Sequence, residues 1–146
     1  MSTQKLLFSI PGPPRAKGRP RFYAANGFVK SYTPKETANY ECLVKLMFVA
    51  AKEHQTWELV PKGEPVIMTI VAYFRYPASM SKKQRAITQY VTKKPDGDNI
   101  VKITSDALNK LAYEDDSQVA HCEVSKLYTE GAEQVVVTLE SEVVKP

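Results

Sequence analysis

Four prolines fall within ten positions of this 146-residue chain: Pro11, Pro13, Pro14 and Pro20. Proline lacks the amide donor and clashes with the preceding turn, so no helix runs through this stretch. The chain must therefore open in extended structure. Ahead of the prolines, Lys5 to Ile10 reads as a strand that Pro11-Gly12-Pro13-Pro14 ends. Behind them, Arg21 to Tyr32 reads as a hairpin turning at Asn26-Gly27, a favoured two-residue turn. Thr33-Pro34-Lys35-Glu36 is the first place a helix can begin, with a capping box and proline at the first helical position. Leu43, Leu46, Met47 and Ala50 follow at helical spacing and predict a helix from about Pro34 to His54.

The remaining pattern gives a fold class. Pro65 to Tyr76, rich in Val, Ile, Tyr and Phe, predicts a long strand. Ser81-Lys82-Lys83-Gln84 opens a short helix reaching about Tyr90. The polar loop 92–99 leads into a helix from about Asp98 to Ala112. Val119 to Tyr128 and Gln134 to Val143 predict two closing strands joined by a turn near Glu130-Gly131. The order β, hairpin, α, β, α, α, β, β indicates an α+β fold: one small domain over 1–146, with one mixed or antiparallel sheet and two to three helices packed on it. A chain of this length buries a sufficient core without staples. Cys42 and Cys122 form no metal or disulfide pattern and are expected as two buried reduced thiols. No apolar run approaches a membrane span and no signal peptide is visible, so a cytoplasmic protein is expected.

Charge is unevenly placed. Residues 1–35 hold seven Lys or Arg and no acid, whereas the other 111 hold 13 basic and 16 acidic residues. A basic N-terminal arm thus joins a mildly acidic body. Arg15, Lys17, Arg19 and Arg21 alternate along the arm. In an extended chain they share one edge at about 7 Å intervals, near the spacing of successive phosphates on a nucleic-acid strand. Together with Lys94 they are the candidate nucleic-acid-binding residues. Phe22 and Tyr23 either stack on bases or fill the hairpin's core.

The segment from Asp96 to Asp116 carries the chemistry. On a helix, Asp98, Lys102, Ser105, Asp106 and Asn109 share one face, and Ile100, Ile103, Ala107 and Leu111 the other. Asp96 precedes the helix, and Asp115-Asp116 follow it. Taken singly, Asp98 is an N-cap and Asp98, Lys102 and Asp106 are surface ion pairs. Taken together, clustered carboxylates call for a cation or a proton among them. An EF-hand fails, because Ile100 and Ala107 stand where ligands would be needed. A nucleotide-sugar enzyme fails on size and on the lack of a glycine-rich phosphate loop, which also argues against a nucleotide cofactor. Magnesium-assisted phosphodiester cleavage fits, with Lys102 able to stabilise charge on the phosphate or leaving oxygen. The two histidines, His54 and His121, are not placed as general bases and read as structural.

Lys94-Pro95-Asp96-Gly97-Asp98-Asn99-Ile100-Val101-Lys102, then Asp106-Ala107-Leu108-Asn109, then Asp115-Asp116-Ser117-Gln118-Val119, resembles the signature of the RusA family of Holliday-junction resolvases, many of them from phages and prophages. Pro11 to Phe22 is similar to that family's opening segment. The resemblance implies a small α/β domain, a homodimer, and an Mg2+-dependent endonuclease (Mn2+ as a substitute) that nicks four-way DNA junctions symmetrically in recombination and repair. It places the essential acids, as catalytic residues and metal ligands, on Asp96, Asp98 and Asp116, and the essential lysine on Lys102. Asp106 and Asp115 match further family acids. The segment 109–114 departs from the pattern, and it sets how Asp116 approaches the site. Asp116 either runs back along its own helix, the reading favoured here, or completes the partner's site. A nuclease for other branched DNA or RNA, and a silent DNA-binding protein, are the alternatives. The sequence leaves open whether Tyr23, Phe28 or Trp57 touches DNA.

Overall fold

Leu6, Phe8 and Ile10 alternate with Lys5, Leu7 and Ser9, and only the first set is buried. That two-residue period is β1 (Ser2–Pro11) in a computed structural model that describes residues 2–18 and 20–143. The same alternation buries Val66, Met68, Ile70 and Ala72 of β4 (Val66–Arg75). Two further strands, β5 (Val119–Thr129) and β6 (Gln134–Val143), complete a four-stranded sheet in the order β1-β6-β4-β5. β6 lies antiparallel to both β1 and β4, while β4 and β5 run parallel. The closing strands therefore do not pair with each other, since β4 lies between them. A parallel pair needs a long crossover. The segment between β4 and β5 supplies it and carries two helices.

α1 (Lys35–Lys52) and α3 (Gly97–Leu108) pack on each other and on one face of the sheet. Val44, Phe48, Ile100, Ile103 and Leu108 meet Leu6, Ile10, Met68, Ile70, Val137 and Leu139 in one core. The first helix differs from expectation in two ways. Its buried row is Thr37, Tyr40, Val44 and Phe48, and Leu46 is 63% exposed. Residues 43–51 are apolar nearly all round, so periodicity alone does not choose a face. Contact with the sheet does, through Phe8 set edge-on to Phe48 at 5.8 Å. The capping box also does not form: Pro34 is the N-cap residue, and its carbonyl accepts the Ala38 N–H at 3.0 Å.

α2 (Lys82–Ile87) is capped as expected, with the Ser81 hydroxyl accepting the Gln84 N–H. It ends early because Gln89 and Val91 turn back to bond the β5 edge at Tyr128 and Lys126. α3 likewise stops at Leu108, short of the expected Ala112. Lys110 takes φ 69°, and the buried Tyr113 returns under the helix to donate to the Ser105 carbonyl at 2.7 Å. The thiols of Cys42 and Cys122 are exposed rather than buried, on the outer side of α1 and on the uncovered start of edge strand β5.

The β1 edge is closed by side chains. The Gln55 amide accepts the Leu7 N–H and donates to the Leu7 carbonyl, and Gln4 does the same for the backbone of Glu58. Such closure protects a strand edge from pairing with another chain. β2 (Arg21–Ala25) and β3 (Phe28–Tyr32) form a separate hairpin. Asn26 at φ 50° and Gly27 at φ 78° make the turn that the sequence predicts there.

Candidate active site

α3 is the platform. Asp96 is its N-cap residue and Asp98 lies in its first turn, where the helix dipole favours carboxylates. Gly97 lets this end approach β5 closely, since a Cβ there would stand 3.2 Å from Val124 Cγ1. The preceding loop is tied down by Lys126, whose ammonium donates to the carbonyls of Lys93 and Pro95 at 2.6 and 2.9 Å. Lys94, Asp96, Asp98 and, one turn on, Lys102 are all exposed. Among the described residues Lys102 makes no ion pair, so the expected Asp98–Lys102–Asp106 pairs do not form.

Asp116 opens a 3-10 turn, Asp116–Gln118, that follows the loop after α3. Asp115 is the N-cap of that turn: its carboxylate accepts from the Ser117 hydroxyl and N–H, and the Gln118 side chain accepts the Asp115 N–H. Those Ser117 contacts hold the Asp115 carboxyl below its ordinary range. Gln118 is itself buried and donates to the carbonyls of Val60, Pro61 and Glu64. This turn brings Asp116 against Asp106. Burial, hydrogen bonding to Asp106 and the charges of Asp115 and Asp106 push the Asp116 carboxyl upward.

Asp116 thus returns along its own helix as far as Asp106. Eight residues of helix separate Asp98 from Asp106, about 12 Å at 1.5 Å per residue. The site residues therefore form two pairs, Asp96 with Asp98 and Asp106 with Asp116. Among the described residues no three acidic, histidine or cysteine side chains gather within reach of one metal ion. Magnesium commonly takes one or two carboxylates and completes its shell with water and substrate phosphate. The exposed, all-oxygen pair at the head of α3 has that donor chemistry.

The arm is not a free row of cations. Residues 14–18 are irregular, and Lys17 turns inward to Glu41 on α1, with Asp106 on α3 at 3.4 Å. Its charge is thus matched within the protein, unlike that of the exposed Arg15 and Arg21. Burial opposes that charge, but the two carboxylates prevail and raise the ammonium's pKa. The Lys17 N–H reaches the Asn99 carbonyl and the Gly18 N–H the Thr37 hydroxyl, so the arm is strapped over both helices. Arg15 and Arg21 stay exposed; Arg19 lies outside the described residues. A cavity of about 530 Å³ is walled by Arg15, Lys94, Asp96 and Asn99. A second, of about 470 Å³, shares Arg15 and continues to Arg21. The two adjoin at Arg15 and Ala16, which line both, and Glu36 also lines the second. Burial pushes the Tyr40 phenol up to about 12.

Trp57 is buried, and its indole N–H donates to the Ala112 carbonyl, so it holds the turn after α3. His54 and His121 are exposed. Phe22, Tyr23 and Phe28 are exposed too, which removes the hairpin-core reading of the first two. Two supporting residues, Glu41 and Lys126, escape a sequence reading, and Gln118 stands in the quoted signature with no role assigned to it. Only Gln118 had a signal, the capping spacing Asp115-x-x-Gln118.

A family model described as endodeoxyribonuclease RusA matches residues 11–140. The chain is also 40% identical over 131 residues to "Uncharacterized protein YqaN" of Bacillus subtilis (strain 168), covering 86% of this chain and 89% of that protein. No helix among the described residues is long and apolar enough to cross a membrane.

Proposed function

Because the chain belongs to the RusA family of endodeoxyribonucleases, we propose that it resolves four-way DNA junctions by paired, magnesium-dependent nicks, as a homodimer in the cytoplasm. The observation that carries this reading is the groove in which Asp96 shares its walls with Arg15 and Lys94. Acids that repel phosphate have no use in a plain DNA-binding groove, whereas beside phosphate-binding cations they serve cleavage. Arg15, Lys94 and Arg21 hold the DNA backbone. Asp96 and Asp98 hold the divalent ion, Mg2+ or Mn2+, and Asp106 and Asp116 form the second acidic pair. The ion supplies positive charge opposite the phosphate and acidity to a water. Lys102, one turn along the helix, meets the charge that develops on phosphate or leaving oxygen. A two-fold dimer presents two equivalent sites, as paired cuts in opposed strands require.

The test is cleavage of a labelled four-way junction beside a matched linear duplex and a three-way flap, with magnesium or EDTA, by the wild type and Asp98→Asn. Paired nicks in the junction alone, with magnesium alone and by the wild type alone, support the resolvase. Equal cutting of all three substrates makes it a general nuclease. Binding without cutting under any divalent metal would overturn the mechanism.

A further inference from the structure

The β2–β3 hairpin leaves large apolar side chains in solvent. Phe22 and Phe28 are each 70% exposed, Val29 is 74%, and Tyr23 and Tyr32 are 48%. Its strands pack extensively only against each other. A lone two-stranded hairpin is marginal in water, and a concentrated apolar surface of this kind marks an interaction site. The pairing sorts its faces. Arg21 opposite Tyr32, Tyr23 opposite Lys30, and Ala25 opposite Phe28 make one face of alternating cations and aromatics. Phe22, Ala24, Val29 and Ser31 make the other, which carries no charge.

We propose that this hairpin is a wedge for unstacked DNA bases, reading the branch point while the acidic groove holds the backbone. Two observations choose DNA over a second protein chain. The hairpin and the arm before it carry cations and no acid, which complements phosphate. The cavity walled by Asp96 also adjoins, at Arg15 and Ala16, the one walled by Arg21, the first residue of β2. A strand of DNA passing from the first cavity to the second therefore meets the hairpin next. Five-residue strands extend about 17 Å at 3.3 Å per residue, long enough to cross several stacked bases. Aromatics stack on any base, and apolar side chains inserted between base steps are a general means of holding DNA kinked. A branch point offers bases that are already partly unstacked, so the wedge binds there at least cost. The inference rests on the proposed function for its substrate and deepens it by assigning the element that recognises structure.

The experiment uses a four-way junction with 2-aminopurine at the branch point, and a linear duplex with the same base in the same sequence, both in EDTA so that nothing is cut. Wild type should raise the fluorescence of the junction and not of the duplex. Phe22→Ala and Phe28→Ala should abolish most of that rise and lower the junction-over-duplex binding preference about fivefold or more. Phe28→Trp should keep both. These side chains are exposed, so thermal midpoints should stay at the wild-type value. An unchanged rise in both alanine variants would overturn the proposal, as would no rise with wild type. Loss of the rise together with dissociation of a dimer in sedimentation would also overturn it, because the hairpin would then serve a second copy. Cleavage by wild type in magnesium is scored separately: base unstacking without cutting refutes the nuclease and leaves the wedge standing.

Discussion

The ammonium of Lys17 lies between Glu41 and Asp106, and that placement separates it from the other cations of the arm. A cation already matched inside the protein releases no counterions when DNA binds, whereas an exposed one does. Arg15→Ala and Arg21→Ala should each lower the slope of log affinity against log salt by about one. Lys17→Met should leave that slope unchanged; an equal fall would mean Lys17 leaves its carboxylates to meet phosphate. The charge run was legible in the sequence, but this division was not. Glu41 is 24 positions from Lys17, and only the packing of α1 beside α3 brings them together. Asp116 gives a second test. Its carboxyl titrates above the ordinary value of 3.8 in the folded protein. Folding is thus favoured below that ordinary value and penalised as pH rises through the raised one. Asp116→Asn should therefore stabilise the protein at pH 7, with the gain vanishing as pH falls to about 4. The group is largely solvated, so after screening the gain is roughly 0.5 kcal/mol or less, about 1–2 °C in midpoint. A gain that grows toward acid pH would contradict the pairing with Asp106.

At the scale of elements, the head of α3 is held from below by β5. Lys126 bonds the two carbonyls that precede Asp96, and Gly97 admits the contact with Val124. Lys126→Met should leave the fold intact at a cost of about 1–3 kcal/mol and lower kcat about tenfold by loosening the acidic pair. A loss confined to thermal stability would show that the loop keeps its place without that lysine. Element types and order were readable because apolar period, prolines and the Asn26-Gly27 turn agree. What escaped were features set by contacts across the chain. The buried face of α1 depends on Phe8 meeting Phe48. The end of α3 depends on Tyr113 reaching Ser105, and the neighbours of β6 depend on β4 entering between it and β5. The acids were legible as residue types at a spacing, but their division into two pairs follows from where α3 ends.

For the whole molecule, that division bears on assembly. Along one protomer's α3, Asp98 and Asp106 lie about 12 Å apart, and Asp116 sits beside Asp106. Mixing Asp98→Asn with Asp116→Asn subunits should then restore cleavage of one strand, since a dimer that joins the two pairs across its interface would keep one intact site. No restoration would mean that each chain works with its own acids alone. A second consequence comes from the pairing of β1 with β6, which sets Ser2 opposite Val143. The first strand of the sheet in chain order thus has the last one as its hydrogen-bonding neighbour. Until β6 docks, β1 has no partner in the sheet, and the core beneath it cannot close. The sheet therefore closes only once its last-made strand is in place, and that strand is the step on which all the earlier ones wait.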